Sequence, residues 1–89
     1  MGSSRRRYNC RWNIDDDGSI FEDIDCVSHR DARSLKGCKK RCDANSECAG
    51  IEWIPLREGW SNGRLCCFLK NEIGDTEPAK NRVFCEPEF

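Results

Sequence analysis

Hydrophobic positions along this chain fall into short alternating stretches broken by turn-forming residues, with one segment of helical spacing between them. Trp12 and Ile14 alternate with polar neighbours, Asp17-Gly18 offers a turn, and Ile20, Phe21 and Ile24 resume. Residues 11–27 therefore read as extended structure that turns back as a first hairpin. Over residues 28–44 the period changes. Leu35, Cys38 and Cys42 recur at i, i+3 and i+7 and form one helix face, with Ser34 as a suitable N-cap. Gly37 lowers helix propensity there without forbidding the helix. Ile51 and Trp53 then alternate with Glu52 and Ile54 as a strand. Asn62-Gly63 favours a hairpin turn at the end of the polar loop 55–64, and residues 65–69 return as the partner strand. Residues 74–81 read as loop, and Val83-Phe84-Cys85 as a short closing strand. Trp53 is expected in the core and Trp12 can also pack inside. Trp60, between Gly59 and Ser61, stands in a polar loop as a candidate interface anchor or sugar-stacking ring.

Length and cysteine content change what this pattern can mean. Eighty-nine residues allow one small domain, and a chain of this size buries only about 60–65% of its unfolded surface. The chain is 37% hydrophobic and 35% charged, a marginal balance for a core, but it carries eight cysteines. That density is the signature of a disulfide scaffold in an oxidising compartment, secreted, extracellular or within a secretory organelle. Zinc is the competing use of cysteine. It is disfavoured because no C-x2-C pair occurs and His29 is the only histidine. No other cofactor is implied.

The formal net charge is −1, but its distribution is uneven. Arg5-Arg6-Arg7 and Lys39-Lys40-Arg41 are basic, whereas Asp15-Asp16-Asp17 and Glu22-Asp23-Asp25 are acidic. A slightly acidic, cross-linked protein is a poor nucleic-acid binder, and no apolar run reaches the length needed for membrane insertion. Residues 1–9 are polar and basic and are expected to form a disordered tail. Met1-Gly2-Ser3-Ser4 has the composition of an added leader that would replace a removed secretion signal. The domain proper is then expected over 10–89. No N-x-[ST] sequon is present.

Helix geometry constrains the cross-links. Side chains one turn apart run roughly parallel, so Cys38 and Cys42 should each reach a different segment. Cys42 can close a short loop with Cys48, and Cys38 can cross to Cys66 or Cys67 on the returning strand. Only one of those two neighbours can face the helix.

The run Cys38-x3-Cys42-x5-Cys48, the strand Ile51-Glu52-Trp53-Ile54-Pro55 and the segment Cys67-Phe68-Leu69-Lys70 resemble the PAN/apple domain family. The similarity covers about residues 10–85 and is strongest from 38 to 70. It implies an α+β fold in which a single helix packs on a curved antiparallel β-sheet. It also implies the bridges Cys38–Cys67, Cys42–Cys48 and Cys10–Cys85. Cys26–Cys66 would be a fourth pair outside the usual six cysteines, and exchange of Cys10 with Cys26 is an alternative. The function implied is non-catalytic recognition of an extracellular protein or carbohydrate, as in adhesion.

Candidate sites follow from residue chemistry. Ser28, His29 and Asp31 are sequence neighbours, which does not make them a catalytic triad, and bridged cysteines are not thiolate nucleophiles, so no enzyme is expected. Asn13, Asp15 and Asp17 match the opening of an EF-hand loop. Ile24 stands where a bidentate Glu is needed, which leaves calcium a weak alternative to a plain turn. Arg33, Lys36 and Lys40, flanked by Lys39 and Arg41, would stack on the exposed helix face. Such a face suits a sulfated, heparin-like glycan, and Arg5 to Arg7 would add charge if the tail folds back. The surface expected to bind combines the loop 56–64, with Arg57, Trp60 and Arg64, with Lys36 and Lys40. A free-standing secreted toxin, effector or inhibitor on the same scaffold is the remaining alternative.

Overall fold

The structure is a computed structural model, and the residues it describes are 7–55 and 63–88. They form a disulfide-rich α+β fold. Strands β1 (Tyr8–Asp16) and β2 (Ile20–Asp25) precede a 3-10 turn, Arg30–Arg33, and the helix α1 (Leu35–Asp43). Strands β3 (Gly50–Trp53), β4 (Leu65–Lys70) and β5 (Thr76–Pro87) complete an antiparallel sheet in the order β1-β5-β3-β4-β2.

The helix forms where its period places it. The Ser34 hydroxyl accepts the Gly37 N–H at 3.0 Å, capping the first turn. Cys38 and Cys42 are fully buried on its inner face. Gly37 has a tertiary reason to be there, because a Cβ at this position would collide with the Asp31 carbonyl of the 3-10 turn.

The first hairpin does not form. β1 and β2 lie at opposite edges of the sheet, β1 paired with β5 and β2 with β4. Four strand spacings would separate those edges by roughly 19 Å in a flat sheet. The four residue steps from Asp16 to Ile20 reach only about 14 Å. The sheet must therefore curl, and the connection is fastened across the curl. Asp17 donates its N–H to the Asp75 carbonyl at 3.0 Å, and Asn71 donates to the Ser19 carbonyl at 3.1 Å.

Two further expectations are corrected. β1 begins at Tyr8, so residues 8 and 9 belong to the sheet rather than to a disordered tail, held by pairing with Pro87 and Glu86. β5 starts at Thr76, well before Val83, because its first residues pair with β1. A bulge hides this from the sequence. Trp12 faces Val83 while Ile14 faces Pro78, and Asn13 and Asn81 adopt positive φ where the register slips. Asparagine tolerates that conformation, and Asn13 Oδ1 accepts the Asn81 N–H at 3.1 Å.

Register assigns the two faces of the central strands. Ile51 lies between Leu69 and Cys85, and Trp53 between Cys67 and Val83, so these residues share the face that carries the main core under α1. Glu52 lies between Phe68 and Phe84 on the other face. That face is covered as well: Glu52 is only 3% exposed and Lys70 only 1%. Lys70 Nζ donates to the carbonyls of Asp16 (2.6 Å) and Gly18 (3.0 Å) and lies 3.6 Å from the buried Asp16 carboxylate. The Asp16 carboxylate also accepts the N–H groups of Gly18 and Gly74. These hydrogen bonds offset part of the cost of taking both ions out of water, and removing either partner would leave a buried charge uncompensated.

All eight cysteines are bridged. Cys38–Cys67 ties α1 to β4, and Cys42–Cys48 closes the chain after the helix. Cys10–Cys85 joins facing positions on β1 and β5, and Cys26–Cys66 fastens the end of β2 to β4. Cys66 and Cys67, though adjacent, thus take different partners. Trp53 is half-buried and donates its indole N–H to the Ala32 carbonyl at 3.2 Å. Trp12, which the sequence allowed to pack inside, is 55% exposed. It is an edge-strand residue that stands perpendicular against Trp53, ring centroids 6.3 Å apart.

Candidate functional site

Helical spacing sets Lys36, Lys39, Lys40 and Asp43 along one side of α1, since residues three and four apart are neighbours. The start of β1 runs beside that side. Between them lies a groove of about 380 Å³ lined by Arg7, Tyr8, Lys36, Lys39, Lys40, Asp43 and Glu88. Lys36 and Lys40 are exposed and Lys39 is half-buried.

Tyr8 organises the groove. Its hydroxyl donates a 2.6 Å hydrogen bond to Asp43 Oδ1, and the Lys39 carbonyl lies 3.2 Å from the same oxygen. The ring stands beneath the Lys39 ammonium, 5.7 Å from Nζ to its centroid, a cation–π distance. The Glu88 N–H donates to the Arg7 carbonyl at 2.7 Å, and the Cys10–Cys85 bridge secures the same strand pair. Four cationic side chains (Arg7, Lys36, Lys39, Lys40) thus face two carboxylates (Asp43, Glu88), a formal excess of +2. A ring, an ammonium held over it and further exposed ammonium groups suit a ligand with anionic groups on a flat or apolar frame.

The three lysines expected on the helix face come together here, but the other expected residues do not join them. Arg33 precedes the helix, separated from it by the extended Ser34, and its Nε donates to the Cys26 carbonyl at 2.8 Å. Arg64 sets Nε and Nη2 both 2.8 Å from Asp25 Oδ2. The Ser28 amide foremost, with Arg64, holds the Asp25 carboxyl below its usual range. Arg41 is engaged by Asp31 through two 2.8 Å contacts, which lower the Asp31 carboxyl and raise the guanidinium. Arg57 and Trp60 lie outside the described residues, as does most of the 56–64 loop.

The EF-hand-like residues do not converge. The side-chain oxygens of Asn13 and Asp17 accept the Asn81 and Asp75 amides, while Asp15 faces Arg82 at 3.7 Å. Among the described residues, no three His, Cys, Asp or Glu side chains assemble into a metal-binding group. Ser28, His29 and Asp31 occupy the turn before the helix, with the Asp31 carboxylate taken by Arg41.

Sequence reasoning singled out Arg7 as charge that a folded-back tail would add, but missed Tyr8, Asp43 and Glu88. The alternation Tyr8-x-Cys10-x-Trp12 is the signal that β1 begins early enough to reach the helix. Nothing comparable marks Glu88. No family model, curated protein or solved structure matches this chain.

Proposed function

We propose that this chain is a PAN/apple-like, secreted or cell-surface recognition module without catalytic activity, and that its ligand is a sulfated glycan held in the groove between α1 and β1. The observation that carries this reading is the arrangement of Lys36, Lys39 and Lys40 with Arg7 around the Tyr8 ring. The fold supports it from two sides. Four bridges suit an oxidising, extracellular setting, and no helix among the described residues is long and apolar enough to cross a membrane. The disulfides also hold the groove walls rigid, which lowers the entropy lost on binding.

Sulfate groups are taken by ammonium and guanidinium side chains, and the sugar frame lies against the exposed part of Tyr8. Asp43 and Glu88 limit the positive field, so discrete sulfates at matching spacing are favoured over any polyanion. The test is titration of the oxidised protein with a size-defined heparin oligosaccharide at several salt concentrations. Affinity should fall steeply with salt and drop at least about tenfold in the triple variant Lys36→Ala, Lys39→Ala, Lys40→Ala. A shallow salt dependence with no effect of the triple variant would overturn the sulfated-glycan reading.

A further inference from the structure

β1 is an edge strand, and from Tyr8 to Trp12 it pairs with β5 in unbroken register. That ladder fixes which backbone groups it uses, because bonded and non-bonded pairs alternate along antiparallel strands. The Glu88 N–H donates to the Arg7 carbonyl, so the bonded residues of β1 are Asn9 and Arg11. Two further features agree. Pro87, opposite Tyr8, has no N–H to give, and the Cα atoms of Cys10 and Cys85 stand 4.1 Å apart, the close spacing of a non-bonded pair. The N–H and carbonyl groups of Cys10 and Trp12 therefore point away from the sheet, and among the described residues no hydrogen bond reaches them. Past Trp12, the bulge at Asn13 ends the regular edge.

The side chains beside this edge have a definite chemistry. Trp12 stands against Trp53 on the face of α1, yet it is the most exposed large hydrophobic residue among those described. Arg11 points to the other face, its guanidinium 5.6 Å from the Phe84 ring centroid and 3.6 Å from the Glu86 carboxylate. Both members of that ion pair are exposed, so the pair is weak and the guanidinium keeps donors for another carboxylate. No acidic residue occurs from Tyr8 to Trp12.

We infer that the Tyr8–Trp12 edge docks an extended segment of a partner protein, added antiparallel to β1 as a further strand. Main-chain bonds to Cys10 and Trp12 hold it, an apolar side chain packs on the Trp12 indole, and an acidic one meets Arg11. Residues opposite each other share a face, so the segment must alternate apolar and acidic positions. Charge argues against a second copy as the occupant. Twofold self-pairing with Cys10 opposite Cys10 sets the two Arg11 side chains on a diagonal. With Cys10 opposite Trp12 they face each other, and with Cys10 opposite Tyr8 each Arg11 faces an Arg7. Like charges so placed are destabilising. The edge uses none of the lysine side chains of the groove, so it does not depend on a glycan binding there.

The test titrates the oxidised full chain with the peptide acetyl-Thr-Val-Glu-Val-Glu-Val-Thr-amide, read by amide chemical shifts. The Cys10 and Trp12 amide signals should move downfield. N-methylation of the valines, whose N–H groups face β1, should weaken binding at least about tenfold, whereas N-methylation of the glutamates, whose N–H groups face away, should leave it unchanged. A peptide with lysine in place of glutamate should bind severalfold more weakly, a preference that Arg11→Ala removes. Trp12→Pro deletes an N–H with no partner in β5 and should fold, yet bind about threefold more weakly than Trp12→Ala. If it does not fold, the methylated peptides carry the same test. The triple variant Lys36→Ala, Lys39→Ala, Lys40→Ala should bind the peptide as wild type does, which separates this edge from the groove. The proposal fails if the valine-methylated peptide binds as tightly as its parent, if the lysine peptide does, if the shifts map away from β1, or if no peptide binds. It also fails if the chain alone dimerises with those same Cys10 and Trp12 shifts, which would make a second copy the occupant.

Discussion

The phenol of Tyr8, the first residue of β1, donates a 2.6 Å hydrogen bond to the carboxylate of Asp43, the last residue of α1. Thirty-five positions of chain separate the two residues. This contact links the edge of the sheet to the lysine-bearing side of the helix at the groove between them.

Removing it tests whether the groove is held or incidental. Tyr8→Phe keeps the ring beneath Lys39 but removes the phenol donor to the Asp43 carboxylate. Stability in urea should fall by about 1.5 kcal/mol, the lower end of what a hydrogen bond to a charged acceptor contributes. An unchanged midpoint would show that the strand start is positioned by its ladder with β5 alone.

Gly37 offers a case in which local propensity and tertiary packing disagree. In an isolated helix, alanine is better than glycine by about 1 kcal/mol. Here the added methyl would strike the Asp31 carbonyl, a backbone atom that cannot rotate away. Gly37→Ala is therefore expected to destabilise the protein by about 1–3 kcal/mol, as overpacked sites do. A rise in melting temperature would contradict the close approach of the 3-10 turn to α1.

Glu52 predicts how stability depends on pH. Its carboxyl is raised from the ordinary 4.5 to about 8 in the folded chain. Between those values the unfolded chain has lost this proton while the folded chain keeps it. The stabilising contribution is thus complete below pH 4.5, declines as pH rises, and is gone above about 8. The slope is at most about 1.4 kcal/mol per pH unit. Urea unfolding of wild type and Glu52→Gln from pH 5 to 9 should converge on this difference: the variant loses the decline. A wild type that gains stability over the same range through this residue would reverse the sign and exclude a protonated Glu52.

The helix, its Ser34 cap and the pairing of β3 with β4 were legible because each is written within a single stretch of chain, the longest running from Gly50 to Lys70. A period of 3.6, a hydroxyl before it and a glycine between alternating runs need no distant partner. The first hairpin was misread for the opposite reason. Alternation around Trp12 and Ile20 marks two strands but carries no statement of their neighbours, which lie in β5 and β4. β5 looked like loop because its residues 76–81 are largely exposed and broken by the bulge at Asn81. In the groove, the lysines were visible on the helix, but Tyr8 and Glu88 come from chain ends that only the sheet brings there.

By itself, the sequence determined that this is a small, disulfide-built α+β chain with one amphipathic helix and a basic outer face. Eight cysteines and two hydrophobic periods are properties of local residue order. The tertiary structure decided where the sheet curls, which charges are buried and what each lysine faces. Those outcomes depend on contacts between distant residues, such as Lys70 with the Asp16 carbonyl 54 positions away. Whether Glu52 is an outward polar residue of an alternating strand or a buried acid in a cavity is settled only when β1, β4 and β5 close around it. Burial and charge–charge proximity arise from three-dimensional packing and have no signature in residue order.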